Sequence, residues 1–377
     1  KVKLTGYMSF SAGITATLAS VNATDVPSSS IYDASTGTWS LGTGAATTNN
    51  LTYGGSQQGP LIPQVGWLQV ATATEDAFFM PSTDVSKLKL TFTAGTIYNQ
   101  SMTNASLTFA PKTPLQLDQN GSYVLNINLM YRFLYLMSDG TRGLIDKTTF
   151  GGGTKTPIAV VVSRSKHLAV ALENAGGGTK YRWTNRAYDW YIGIGHGYYC
   201  SNKSHYLHRT SPYNYAQAYA MEGGYAVTWD AAASRDNITI KADRTDFPAF
   251  YAAGHYTPTL PTGVNLTGKM VGKKWFLPAP GEWKYVYTAL GFGDPANLKA
   301  AGGARWSGTL AYSAFIQVGG SFTADNHWTT LETPIAADLN CGYVTAINCG
   351  YNRIVLKPYM NIYSDVCLVR PFIIYDE

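Results

Sequence analysis

GKKWFLPAPGEWKYVYTAL, residues 272–290, decides how the second half of the chain is read. Trp275, Phe276 and Leu277 are a short apolar run that needs burial. Pro278 and Pro280 cannot donate to a strand ladder, so a strand ends here. Pro280 suits the first turn of a helix, where its missing N–H is no loss. Glu282, in that first turn, favours the positive end of the helix dipole. Trp283, Val286, Tyr287 and Leu290 then recur at i, i+3, i+4 and i+7, one apolar helix face, and Gly291 ends it. The expectation is strand, stop, helix, in a structural role. Nothing in the stretch is a nucleophile, a base or a metal cluster.

Working outward, the 377 residues suffice for two or three domains with sizeable cores. Charged residues are only 14%, while Gly, Thr, Ser, Ala and Tyr abound, the profile of an extracellular β-rich protein. With 45% hydrophobic residues the chain is not disordered. Residues 1–130 carry five Lys/Arg and six Asp/Glu, a net −1, which leaves +6 for the rest. That charge is dilute and unclustered, so no nucleic-acid partner is expected. No apolar run approaches the roughly 18 residues of a membrane span. The opening KVKLTGYMSF has no signal-peptide core, so an export leader is expected to lie outside this sequence.

The first part, 1–138, reads as a β-sandwich. Val2-Lys3-Leu4 alternates, and Lys87 to Phe92 does so cleanly. Leu107-Thr108-Phe109 and Leu115-Gln116-Leu117 repeat the pattern. Asn120-Gly121 is a turn signal before Tyr123 to Leu129, the strongest strand of this half. No useful amphipathic helix is present, and several short strands at this spacing make a sandwich the default.

Ser138-Asp139-Gly140 is a turn, which sets the second domain at 139–377. Pro157 introduces Ile158 to Val162, a strand buried on both faces, with His167 to Leu172 as its hairpin partner and Gly176-Gly177-Gly178 as the stop. Tyr181 to Tyr225 is rich in Tyr and Trp with His196, His205 and His208 interleaved, and fits no single period. Two readings stand: a paratope-like surface of rigid amphipathic rings, or an irregular core whose tyrosine hydroxyls reach polar partners. After Gly291 the chain reads as loop-rich. Four cysteines, Cys200, Cys341, Cys349 and Cys367, contain no C-x-x-C. If a disulfide forms, Cys341 with Cys349 is the nearest pair in sequence.

Trp275, Leu277, Pro278, Glu282 and Trp283 resemble the W-x-L-P-x-x-x-E-W/L motif of C-type-lectin-like domains in surface proteins of Bacteroidales. Asp246 to Tyr256, DFPAFYAAGHY, resembles the helix that precedes it, and Val369-Arg370-Pro371-Phe372 their closing V-R-P strand. Leu117 to Leu129 is similar to the last strand of a fimbrillin-type, transthyretin-like sandwich. The resemblance implies a fimbrillin-like adhesin: a transthyretin-like sandwich, then an α+β C-type-lectin-like domain with two helices. It further implies that Pro157 to Val162 pairs with the final strand, Val366 to Ile374. Members usually carry two sandwiches, and this chain has room for one.

The function implied is that of a pilus subunit or tip adhesin that binds a host or bacterial surface glycan or protein without catalysis. Its partners would be other pilus subunits through donor-strand exchange, and its place the cell surface or fimbrium, reached through the outer membrane as a lipoprotein precursor. With no spare strand after Tyr375-Asp376-Glu377 to donate, a tip position is expected. The alternative is a glycan-binding surface lipoprotein that never polymerises. No cofactor is expected. The His205/His208 pair lacks a nearby acidic ligand, and the calcium triplets of sugar-binding C-type lectins do not occur, so no metal is expected. Cys341 and Cys349 invite comparison with formylglycine-generating enzymes, but NCGYVTAINCG does not resemble that active site, and no enzyme is expected. The rings expected to meet a ligand are Trp183, Trp190, Tyr198, Tyr199, Trp306 and Trp328, if exposed.

Overall fold

The computed structural model describes every residue except 23, 45–46, 186–199, 300, 335–340 and 377. The chain divides into two compact units, Lys1–Leu61 with Trp67–Tyr131, and Ile62–Gly66 with Arg132–Glu377. The division follows Tyr131 rather than the turn at 138, because Tyr135–Met137 is already a strand of the second unit's sheet.

The strands of the first part are β1 (Val2–Gly6), β2 (Ile14–Ser20), β3 (Ser30–Asp33), β4 (Thr38–Leu41), β5 (Thr48–Tyr53), β6 (Gln57–Ile62), β7 (Gly66–Thr72), β8 (Leu88–Ala94), β9 (Thr96–Ile97), β10 (Gln100–Ser101), β11 (Ser106–Thr108) and β12 (Leu125–Leu129). Two four-stranded sheets result, ordered β12-β1-β7-β6 and β11-β8-β2-β5, with β3-β4 and β9-β10 as small hairpins. Alternation dictates the faces: Val2, Leu4 and Gly6 are buried while Lys3 and Thr5 are not, and Leu88, Leu90 and Phe92 repeat this. β1 runs parallel to β12, from Val2↔Leu125 to Gly6↔Leu129, and antiparallel to β7. Asn120 takes a left-handed φ of 59° in the turn before β12. Leu115 to Leu117 is not a strand; Gln116 makes one isolated bridge to Asp84.

In the second unit the strands are β13 (Tyr135–Met137), β14 (Arg142–Gly143), β15 (Pro157–Ser163), β16 (Leu168–Ala171), β17 (Trp275–Phe276), β18 (Ala304–Arg305), β19 (Asn326–Thr333), β20 (Tyr343–Cys349), β21 (Arg353–Asn361) and β22 (Phe372–Ile374). They form sheets ordered β14-β13-β15-β16-β22-β17 and β18-β21-β20-β19. β15 and β16 form the expected hairpin. The final strand, however, pairs with β16 and β17, not with β15. β15 has β13 on one edge and β16 on the other, so no edge is left for β22.

Five α-helices lie among the described residues: α1 (Tyr215–Ala220), α2 (Gly224–Trp229), α3 (Pro248–Gly254), α4 (Pro280–Gly291) and α5 (Gly308–Ile316). α3 and α4 stand where the sequence places helices. α4 buries Trp283, Val286, Tyr287 and Leu290 as its spacing requires. The expected count of two helices is too low. α5 falls in the stretch that reads as loop, because Gly308 to Phe315 are all buried and a helix apolar all round has no amphipathic period to find. The second unit's core joins Trp183, Phe247 and Phe250, whose rings meet edge to face at 4.9–6.0 Å, with Leu277, Trp328 and Val344.

Candidate functional site

Of the six rings expected to meet a ligand, the three among the described residues are buried. Trp183 and Trp328 have no exposed surface and Trp306 only 7%. Each indole N–H is spent inward: Trp183 donates to Thr329 O (2.9 Å), Trp306 to Gly350 O (2.7 Å) and Trp328 to Tyr181 O (2.6 Å). A ring held this way on every side cannot stack on a sugar, so these three are core residues. Trp190, Tyr198, Tyr199 and His196 lie outside the described residues. Elsewhere in the tyrosine-rich stretch the rings are mixed: Tyr213 and Tyr219 are buried, Tyr181, Tyr206 and Tyr215 half-buried, and Tyr225 exposed. Tyr213 packs edge-on against Tyr215 and Tyr359, and the Arg209 guanidinium sits 4.6 Å from the Tyr359 ring centre.

The motif residues build architecture. Glu282 is buried, and its carboxylate accepts from the N–H of Ala279 (2.5 Å), Gly223 (3.1 Å) and Gly224 (3.0 Å). It thus caps its own helix and ties in the start of α2. Burial pushes its pKa up to about 7, against the pull of those three donors. Trp275 pairs with Ile373 across the β17–β22 ladder. Arg370 is buried, donating to Ala171 O (3.1 Å) and Ser321 O (2.9 Å) beneath the rings of Phe315 and Phe322. Burial lowers its pKa to about 10. Pro371 O accepts from Ala171 N (2.9 Å), continuing the β16 pairing.

Cys200 bonds to Cys341, not Cys341 to Cys349. Cys341 precedes β20 and Cys349 ends it, which holds the two roughly 25 Å apart at the rise of an extended strand. Cys349 and Cys367 are buried thiols; burial pushes Cys367 up to about 12 and Cys349 further, so neither is a nucleophile. The Cys200 and Cys341 sulfurs and a Glu332 oxygen lie within 4.8 Å of one another. The sulfurs are bonded together, and Glu332 already accepts from Ser201 N (2.8 Å), Ser201 Oγ (3.1 Å) and Asn202 N (2.7 Å). His205 is buried against Thr330 Oγ1 (3.0 Å) and His208 is edge-on to the Tyr206 ring, so neither helps to complete a metal site.

The surface feature best suited to a ligand is a pair of clefts in the second unit, about 530 Å³ and about 410 Å³, that share Glu173, Tyr256 and Thr259. One wall is the turn after β16. Gly176, Gly177 and Gly178 all take left-handed φ (65°, 62°, 99°), and a Cβ on Gly176 would lie 2.2 Å from the Tyr181 hydroxyl oxygen. Glycine there lets Tyr181 close the wall. The other wall is α3 and the chain beyond it. Ala249, Phe250 and Ala253 face the core, which leaves Tyr251 and His255 on the outer side. Those two rings stack with centres 4.0 Å apart, the imidazole Nδ1 lying 3.0 Å from Tyr251 O. At the junction Thr259 Oγ1 donates to Glu173 (2.7 Å), and Tyr256 packs edge-on to Trp275 (4.9 Å). Burial pushes the Tyr256 phenol up to about 12. The Asn174 side chain is buried on the wider cleft, and its Oδ1 has no hydrogen-bond partner.

Sequence reading misses this site, although Tyr251 and His255 are spaced i, i+4 opposite the apolar face of α3. No protein-family model matches the chain, and no curated protein or solved structure is significantly similar to it.

Proposed function

We propose that this protein is a fimbrillin-like surface adhesin, a pilus subunit or tip component that binds a glycan or protein ligand without catalysis. The observation that carries this is the pair of clefts around Glu173: ring faces, one carboxylate and several hydroxyls converge there, as in a recognition site. A β-rich first unit followed by a unit of mixed sheets and helices is compatible with the architecture the motif resemblance implies. The Cys200–Cys341 bond fits an oxidising, extracytoplasmic compartment. A groove of about 390 Å³ in the first unit, lined by Val2, Leu18, Leu88 and Leu125 beside edge strand β12, offers a place for another subunit's strand.

One observation favours the second reading, a surface lipoprotein that does not polymerise. β1 already occupies an interior place in its sheet, bonded to β12 and β7, so strand exchange must use the groove beside it. Immunogold electron microscopy of native cells, with antibody to residues 145–377, separates the two. Gold at filament ends is the expected result; gold scattered over an outer membrane without filaments would sink the pilus reading.

A further inference from the structure

We propose that the clefts around Glu173 bind an uncharged oligosaccharide, and that glycans bearing carboxylate or sulfate are rejected. This rests on the reading of these clefts as the ligand site and names the ligand's class. Sugar hydroxyls need acceptors, and a pyranose offers an apolar C–H side to a ring. Both requirements are met here.

The stacked Tyr251–His255 pair presents a rigid aromatic surface at one side of the wider cleft, with Tyr181 across the glycine turn. An acceptor stands between them. Glu173 receives one hydrogen bond, from Thr259, and a carboxylate takes several.

Charge sets the class. Neither cleft has a Lys or Arg among its lining residues. Arg370 acts electrostatically on Glu173 and Tyr256, but it is fully buried and its guanidinium is committed to Ala171 O, Ser321 O and two phenylalanine rings. An acidic sugar would therefore meet the Glu173 carboxylate with no cation in the lining to pair with. The shared wall of Glu173, Tyr256 and Thr259 makes the two clefts adjoining subsites, so more than one ring is accommodated.

The test presents the whole chain to immobilised neutral oligosaccharides built from glucose, galactose or mannose, with sialylated and sulfated counterparts, followed by calorimetric titration of the best binder. Neutral glycans should bind at least tenfold more tightly than their acidic counterparts. Tyr251→Ala and Glu173→Gln should each weaken binding tenfold or more at an unchanged melting temperature, and Glu173→Lys should shift preference towards acidic glycans. No glycan bound, acidic glycans bound equally, or neutral binding untouched by all three variants would overturn the proposal. Binding of a peptide alone would do so too. A parallel adhesion assay with chain-coated beads keeps the readings apart. Adhesion that survives the variants leaves the adhesin and removes this site; neutral-glycan binding through Glu173 without adhesion leaves the site and removes the adhesin.

Discussion

Glu282, which stands in a readable helix-start pattern, and Glu173, which stands in none, could hardly differ more in the fold. Glu282 is buried with three backbone donors closed around it. Glu332 repeats that arrangement beside the disulfide, where burial raises its pKa against the pull of Lys241 and its donors. Glu173 lies in a cleft with one hydroxyl donor and acceptor capacity to spare. A carboxylate whose lone pairs are filled by main chain holds segments together. One left partly unfilled at a surface is available to a ligand. The lesson is to count donors around each acid before assigning it a role.

The comparison breaks most visibly at Glu282. Glu282→Ala should cost on the order of 3 to 5 kcal/mol in urea unfolding, because three buried N–H groups lose their acceptor. A loss below about 1 kcal/mol would show that water replaces the carboxylate. Removing the bond beside Glu332 by Cys200→Ser with Cys341→Ser opens a closure spanning 141 residues. Chain entropy sets its worth at up to about 5 kcal/mol, and native disulfides typically contribute about 2–4. No change in the unfolding midpoint under reductant would refute it.

Acid should sharpen the contrast further. Burial, with Lys241 nearby, holds His205 at about 4, so it is neutral in the folded chain at a pH where the unfolded chain protonates. Its contribution is complete above pH 6.5 and disappears as pH falls through 4, a swing on the order of 3 kcal/mol. His327, lowered to about 3 chiefly by burial, extends the loss to lower pH. The raised Glu282 works in the opposite sense, so the measure is the pH 7 to pH 4 change in unfolding free energy of the native chain against that of His205→Gln, which should lose less on acidification. The smallest effect belongs to Glu173: Glu173→Gln should move stability by less than about 0.5 kcal/mol. A larger loss would return Glu173 to the structural class.

Much of the fold is legible in the sequence because period and punctuation act locally. Lys87 to Phe92 alternates and becomes β8; Trp283 to Leu290 keeps helical spacing and becomes α4. Glu282 is readable as a first-turn acid, but not as the acceptor for Gly223 and Gly224, whose approach depends on tertiary packing. α5 is hidden because burial on every side erases the pattern that betrays a surface helix. The tryptophans mislead for a related reason. A ring rich in apolar area is a good sugar platform and an equally good core residue, and only exposure separates the two. The cysteine pairing fails because nearness in sequence means little across an extended strand.

The parallel pairing of β1 with β12 has a mechanical consequence. Five residue pairs, Val2↔Leu125 to Gly6↔Leu129, bind the first strand of that unit to its last in the same direction. Tension applied at the start of β1 and the end of β12 pulls the two strands past each other, so their slanted hydrogen bonds are loaded together in shear rather than peeled one by one. Forced unfolding is governed by the rate of that first rupture. A unit loaded between those two points gains lifetime under tension from this arrangement, whatever its equilibrium stability.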